Sequence, residues 1–311
     1  MRIYYQTGSD NKKIDLDKPP YWMQTGDFLN YSWEYTLSGK RIGKLEKKIQ
    51  EKEFTITVFG KTQEEYEKNV DSLYEAFEKD ILKEIPGKLY FGEYYLSCYI
   101  YTSEKEEWES GRYSMDNTLG LIEAIPFWRR ETTYQFLPEI IDPDIGIQTP
   151  VITGNIFTGG PVENGAALRE FEFDFLRRSN RKVSYPQFDL PFDFTKTYGK
   201  RAINNTEAFS ESDFVLTIYG FVDTPSILIA GHPYVVNAMI YDGERLVIDS
   251  AAGTVKKIGR LGEETNLYNS RGKEYSVFQK IPPGVQTVRW SGGFGFDLLL
   301  YDERSEPKWS L

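Results

Sequence analysis

Cysteine and histidine are almost missing from this chain of 311 residues, which has one of each, Cys98 and His232. A single cysteine excludes an internal disulfide, and without a Cys/His cluster there is nothing to hold zinc or iron. A calcium site built from Asp and Glu stays open, but the EF-hand spacing is absent. No cofactor is expected. A Ser-His-Asp or Cys-His catalytic group would have to recruit His232, which stands in Ala230-Gly231-His232-Pro233 beside a strand end and reads as a turn residue. Cys98, inside Tyr95-Leu96-Ser97-Cys98-Tyr99, reads as a buried, inert thiol on a strand.

Long apolar runs are missing as well. No stretch approaches the roughly 18 residues of a membrane-spanning helix, and the opening Met1-Arg2-Ile3-Tyr4-Tyr5 has no signal-peptide core. The expectation is a protein made and kept in a cytosol, with no membrane partner. Basic excess is absent too: 37 Lys and Arg stand against 47 Asp and Glu, a formal charge of −10. Stable nucleic-acid binding needs cations to neutralise phosphates, so the balance argues against it. The one basic cluster, Arg177-Arg178-Ser179-Asn180-Arg181-Lys182, reads as a solvated hairpin tip between strands 171–176 and 183–188.

Aromatic residues, in contrast, are plentiful, with 22 Tyr and 20 Phe. Such side chains sit best on pleated, half-buried surfaces, so a mainly β protein is expected. The length suits two domains, each with its own core. In the first, Glu53-Phe54-Thr55-Ile56-Thr57-Val58-Phe59 and Tyr31-Ser32-Trp33-Glu34-Tyr35-Thr36-Leu37 alternate as strands do. The period then changes. Thr62 and Glu65 make a capping box, and Tyr66, Val70, Leu73, Tyr74, Phe77 and Ile81 recur on one face, so a helix is predicted over 62–83, ended by Pro86-Gly87. A hairpin about Gly92-Glu93 follows, then a strand over 115–125 that closes on Pro126-Phe127-Trp128.

Residues 138–165 are broken by proline and glycine and read as a linker or an edge-strand excursion. Pro186 and Pro191 mark edge strands. From Asp213 to Trp309 the chain is a run of short strands and turns, as a β-sandwich requires. Asp242-Gly243, between two alternating runs, predicts a type I′ hairpin, and Pro282-Pro283-Gly284 forces another turn. Paired carboxylates of the kind glycosidases use are present as Glu172 with Asp174 and Asp189 with Asp193, but their even spacing fits the solvent face of a strand. Gly292-Gly293-Phe294-Gly295-Phe296 lacks the lysine and the helix of a phosphate loop and reads as a turn into the last strand. Tyr21-Trp22 and Trp290, taken as exposed, suit either a sugar-stacking platform or an assembly surface.

The ordered set Tyr219-Gly220, Pro225 to Ile229, Ile248-Asp249, Phe278 with Pro283-Gly284, and Arg304 to Trp309 resembles the distal tail (Dit) proteins of long non-contractile-tailed phages. The likeness covers residues 185–311 well and the first 130 more loosely. It implies a ring-forming N-terminal split β-barrel with one long helix over 1–137, the linker 138–165, and a galectin-like β-sandwich over 166–311. It further implies a structural, non-enzymatic virion protein of a phage or prophage, assembled in the bacterial cytoplasm. Six copies would form a ring between the tail tube and the tail tip or baseplate hub, beside the tape measure protein, with DNA as transient cargo through an acidic or neutral lumen. No residue is singled out as catalytic, cofactor-binding or metal-binding, and the ring contacts are left open. The alternative from another class is a carbohydrate-binding module for host-surface adhesion, although such a module has no use for the N-terminal strand-helix-strand unit.

Overall fold

Residues 51–59 show why the first half is built as a sheet. Phe54, Ile56 and Val58 alternate with Glu53, Thr55 and Thr57, and the apolar set is buried to within 1% of full exclusion. The computed structural model describes residues 2–105, 111, 113–138, 162–164, 166–167, 200–206 and 208–309. The chain divides into two compact units, Met1–Arg130 with Glu303–Leu311, and Glu131–Asp302. Residues 303–311, counted above with the second domain, thus pack with the first unit. The basic cluster 177–182, both carboxylate pairs, Pro186, Pro191 and most of the linker lie outside the described residues.

In the first unit the chain forms β1 (Ile3–Gln6), β2 (Lys13–Asp15), β3 (Asp17–Lys18), β4 (Tyr21–Gly26), β5 (Glu34–Ser38), β6 (Arg41–Glu46) and β7 (Glu51–Phe59). Helix α1 (Gln63–Leu82), β8 (Gly87–Phe91), β9 (Tyr94–Lys105) and β10 (Ser114–Phe136) follow, the last running on past Arg130 into the second unit. The strands pair antiparallel in the order β2-β1-β8-β9-β10-β7-β4-β3, while β5 and β6 form a sheet of their own. Between β8 and β9 the turn is the expected one, with Gly92 at φ +65°.

The helix starts as its capping box requires: Thr62 Oγ1 accepts from the Glu65 amide at 3.2 Å, and the Glu65 carboxylate accepts from the Lys61 amide at 2.9 Å. Tyr66, Leu73, Ala76 and Phe77 are buried against the sheet, each large side chain contributing about 1.5–3 kcal/mol of burial. The stripe departs from expectation at its end, where Ile81 is exposed and Asp80 is buried instead. Asp80 accepts from the Tyr5 hydroxyl at 2.9 Å and from the Gly8 and Ser9 amides at 3.0 and 2.8 Å. Three donors satisfy the carboxylate, which is what permits it there.

β10 also departs from expectation. Instead of closing at Pro126-Phe127-Trp128 it runs on to Phe136. Its register on β9 skips between Glu123, opposite Cys98, and Trp128, opposite Leu96, so Pro126 falls in an irregularity where no ladder bond needs its missing N–H.

The second unit contains β11 (Val162–Asn164), β12 (Ala166–Ala167), β13 (Lys200–Asn205), β14 (Phe214–Tyr219), β15 (Val222–Asp223), β16 (Ser226–Ile229) and β17 (His232–Val235). β18 (Met239–Ile240), β19 (Arg245–Asp249), β20 (Thr254–Ile258), β21 (Glu264–Asn266), β22 (Gly284–Trp290) and β23 (Phe296–Arg304) complete it. Two layers share one core, β23-β14-β19-β20-β21 and β12-β13-β22-β16-β17. Phe214, Leu216 and Ile218 of the first layer and Ile227, Ile229 and Val288 of the second are all essentially inaccessible. Phe136 stacks on Phe296 at 4.4 Å, and Trp290 meets Phe296 edge-on at 5.3 Å.

Asp242-Gly243 does not join a hairpin. Gly243 has φ +79° and the Glu244 amide reaches the Tyr241 carbonyl at 3.0 Å, but β18 pairs with β15 while β19 pairs with β14 and β20. The positive φ pair that a type I′ turn needs occurs at Ala230 (+53°) and Gly231 (+81°), with Ile229 opposite His232. Pro282-Pro283-Gly284 turns into β22 as expected, with Gly284 at φ +97°.

Candidate assembly surface

Of the residues weighed for chemistry, His232, Cys98, Tyr21 and Trp290 are engaged in the structure. His232 opens β17; its Nε2 lies 2.8 Å from the Ser276 carbonyl, and its ring sits edge-on to Tyr234 and Tyr275. Cys98 is buried on β9, and burial pushes its thiol up to about 12, so it is a neutral S–H at physiological pH. Tyr21 and Trp290 are buried, not exposed: the Tyr21 hydroxyl donates to the Asn69 carbonyl at 2.9 Å and the Trp290 indole to the Phe294 carbonyl at 3.1 Å. Trp22 alone of that set is on the surface. Phe294 and Phe296 are core residues, so the glycine-rich segment is a turn into β23. Among the described residues no group of three or more His, Cys, Asp or Glu is placed to hold a metal ion, and no helix is long and apolar enough to cross a membrane.

What the first unit does present is the hairpin β5–β6. Tyr35 pairs with Leu45 and Leu37 with Ile42 across it, and a register shift between Thr36 and Leu37 lets all four share one face. They are 62, 55, 65 and 63% exposed in that order. Thr36 and Lys44 occupy the other face. The base is held firmly. Trp33 packs edge-on against Phe127 at 6.1 Å, and the Lys47 ammonium donates to the Ser305 carbonyl at 3.2 Å while lying 5.2 Å over the Phe127 ring. Burial lowers the Lys47 ammonium to about 8. Beneath the hairpin base, Lys52 Nζ is 3.0 Å from the Glu123 carboxylate, both excluded from water, and also donates to the Phe28 carbonyl at 3.1 Å.

A second exposed apolar group lies at the end of α1, where Ile81, Leu82 and Ile85 are all on the surface. The strand pattern around Tyr31–Leu37 was legible in the sequence, but its solvent-facing apolar face was not, because alternation alone does not say whether a partner covers it.

The C-terminal motif Arg304 to Trp309 has a physical task. Arg304 is buried with its guanidinium 5.8 Å from the Tyr94 ring, Trp309 meets Phe91 edge-on at 5.6 Å, and Glu303 takes a salt bridge of 2.6 Å from Arg129. The tail is thereby tied into the first unit.

No family model matches the chain, and no curated protein matches it. Solved structures do. A chain of the phage P2 baseplate in its activated conformation with calcium aligns with a TM-score of 0.58 at 12% identity, over 98% of this chain and 99% of that one. The same baseplate with strontium gives 0.57 at 12% identity over the same shares. The SPP1 Dit protein, described as a paradigm of the hub adsorption apparatus in phages infecting Gram-positive bacteria, gives 0.53 at 9% identity over 97% of this chain and 99% of that one. At such identities the likeness speaks for the fold, and its end-to-end extent takes in both units. The chain has the fold of the phage distal tail (Dit) and baseplate proteins.

Proposed function

We propose that this chain is a structural virion protein, a distal tail protein whose copies form a hexameric ring joining the phage tail tube to the tail tip or baseplate hub. In this reading the first unit is the ring-forming split barrel and the second is the galectin-like sandwich. The tape measure protein is a neighbour, and genomic DNA passes through the ring without being held. The observation that supports it is the extent of the likeness: 97–98% of this chain aligns with 99% of each baseplate or Dit chain, so one fold accounts for the helix-bearing unit, the sandwich and the returning tail. A free-standing sugar-binding module would leave the first unit and its exposed hairpin without a purpose. The role needs extended surfaces and no reacting group, consistent with a Cys98 that is a neutral buried thiol and a His232 engaged by a backbone carbonyl. An acidic or neutral lumen, with which the −10 charge of the chain is consistent, lets the duplex slide without counterion release.

Mass in solution tests the reading. Light scattering is expected to give six times 36.1 kDa, about 217 kDa, or twice that for two stacked rings. A strict monomer at every micromolar concentration overturns the ring.

A further inference from the structure

We propose that hairpin β5–β6 of one copy docks on the C-terminal end of α1 in a second copy of this chain, and that this head-to-tail contact closes the ring. The inference rests on the ring reading above and assigns its contact surfaces. It begins from an instability. Among the described residues β5 and β6 pair only with each other, and a lone two-stranded hairpin is marginal in water. This one keeps Tyr35, Leu37, Ile42 and Leu45 on a single face, each more than half exposed. Its base is pinned by Lys47 and Trp33, which presents the face at a fixed place.

Charge selects the partner surface. Residues 34–48 carry Lys40, Arg41, Lys44, Lys47 and Lys48 against Glu34 and Glu46 only. The two acids are already held by Lys48 and Lys44, which leaves Lys40 and Arg41 at the tip as outward positive charge. Across 64–84 the exposed charged side chains are Glu64, Glu65, Glu67, Asp71, Glu75, Glu78 and Glu84 against Lys68, Lys79 and Lys83. Glu65 serves the helix cap and Glu75 is held by Lys79, which leaves Glu78 and Glu84, beside Lys83, next to the exposed apolar group Ile81, Leu82 and Ile85. A basic tip beside an apolar face thus has its complement in an apolar end flanked by those two acids. Hairpin-on-hairpin pairing between copies would instead oppose two basic tips, which complementary interfaces avoid.

The two patches sit on different elements. The end of α1 is fixed to β1 through Asp80 and Tyr5, whereas the hairpin arises between β4 and β7, four pairing steps away along β1-β8-β9-β10-β7. Two different patches of one unit make a heterologous contact, the kind that generates closed rings.

The test uses the full chain and exposed charges whose reversal leaves the cores untouched. Lys40→Glu with Arg41→Glu is expected to reduce the ring mass to 36.1 kDa, as is Glu78→Lys with Glu84→Lys, with the circular dichroism spectrum of the folded chain unchanged. Combining all four reversals is expected to restore the ring. A wild-type ring that neither pair of reversals disturbs overturns the contact and leaves the hexamer standing. Two disruptive pairs whose combination does not restore assembly also overturn it, since each patch then meets a surface other than the one assigned to it. A wild-type monomer overturns the ring and the contact together.

Discussion

Lys52 and Glu123 illustrate how single residues hold the first unit. Their side chains are 3% and 0% exposed, so neither ion keeps a water shell. The pair is stable because its remaining valences are used: Lys52 reaches the Phe28 and Asn30 carbonyls, and Glu123 accepts from the Gln50 amide at 3.1 Å. Glu123→Leu strands a buried ammonium and is expected to lower stability by about 3–5 kcal/mol, read as a shift in urea midpoint. The double change with Lys52→Met is expected to recover most of that loss. Recovery no better than the single change would mean that the Gln50 contact, not the ion pair, is what matters. Lys47, nearby, gives a pH signature. Burial lowers it from 10.5 to about 8 in the folded chain, so between those values the unfolded chain binds more protons. Stability from this group therefore rises with pH from about 8 to 10.5, and the penalty of burying the charge is fully present below that window. Urea midpoints at pH 7, 9 and 10 are expected to show that rise in the wild type and to lose it in Lys47→Met. The buried tyrosines Tyr5 and Tyr234, whose values burial raises above the ordinary 10.0, oppose it only at higher pH.

At the scale of elements, what could be read from the sequence was whatever local chemistry decides. The Thr62 cap, the 3.6-residue stripe of α1, the Gly92 turn and the strand alternation at 51–59 all depend on near neighbours, and all are present. What could not be read depends on partners remote in the chain. Asp80 is inside because Tyr5, Gly8 and Ser9, more than 70 positions away, supply its donors. Asp242-Gly243 carries the better hairpin signature, yet its flanking strands are drawn into different sheets, while the unremarkable Ala230-Gly231 makes the tight turn. The proline at 126 was a stop signal only in the absence of a bulge to receive it. Tyr21 and Trp290 look alike to Trp22 in composition and differ only in what covers them.

For the whole molecule, two separate buried clusters, one per unit, argue that each unit has its own cooperative core. Limited proteolysis is expected to nick first within the proline- and glycine-rich stretch 138–165, leaving both cores intact. First cuts within α1 or within residues 214–229 would place the weak point elsewhere. The return of residues 303–311 to the first unit has a consequence for the order in which the protein is made. On the ribosome the second unit is complete once Asp302 has emerged, but the first unit, begun earlier, still lacks its Arg129–Glu303 pair and the Trp309 edge on Phe91. The half synthesised first is thus finished last, and a chain released early presents an unsealed first unit beside a finished second one. Copies that end before it lack the segment that ties down the first unit.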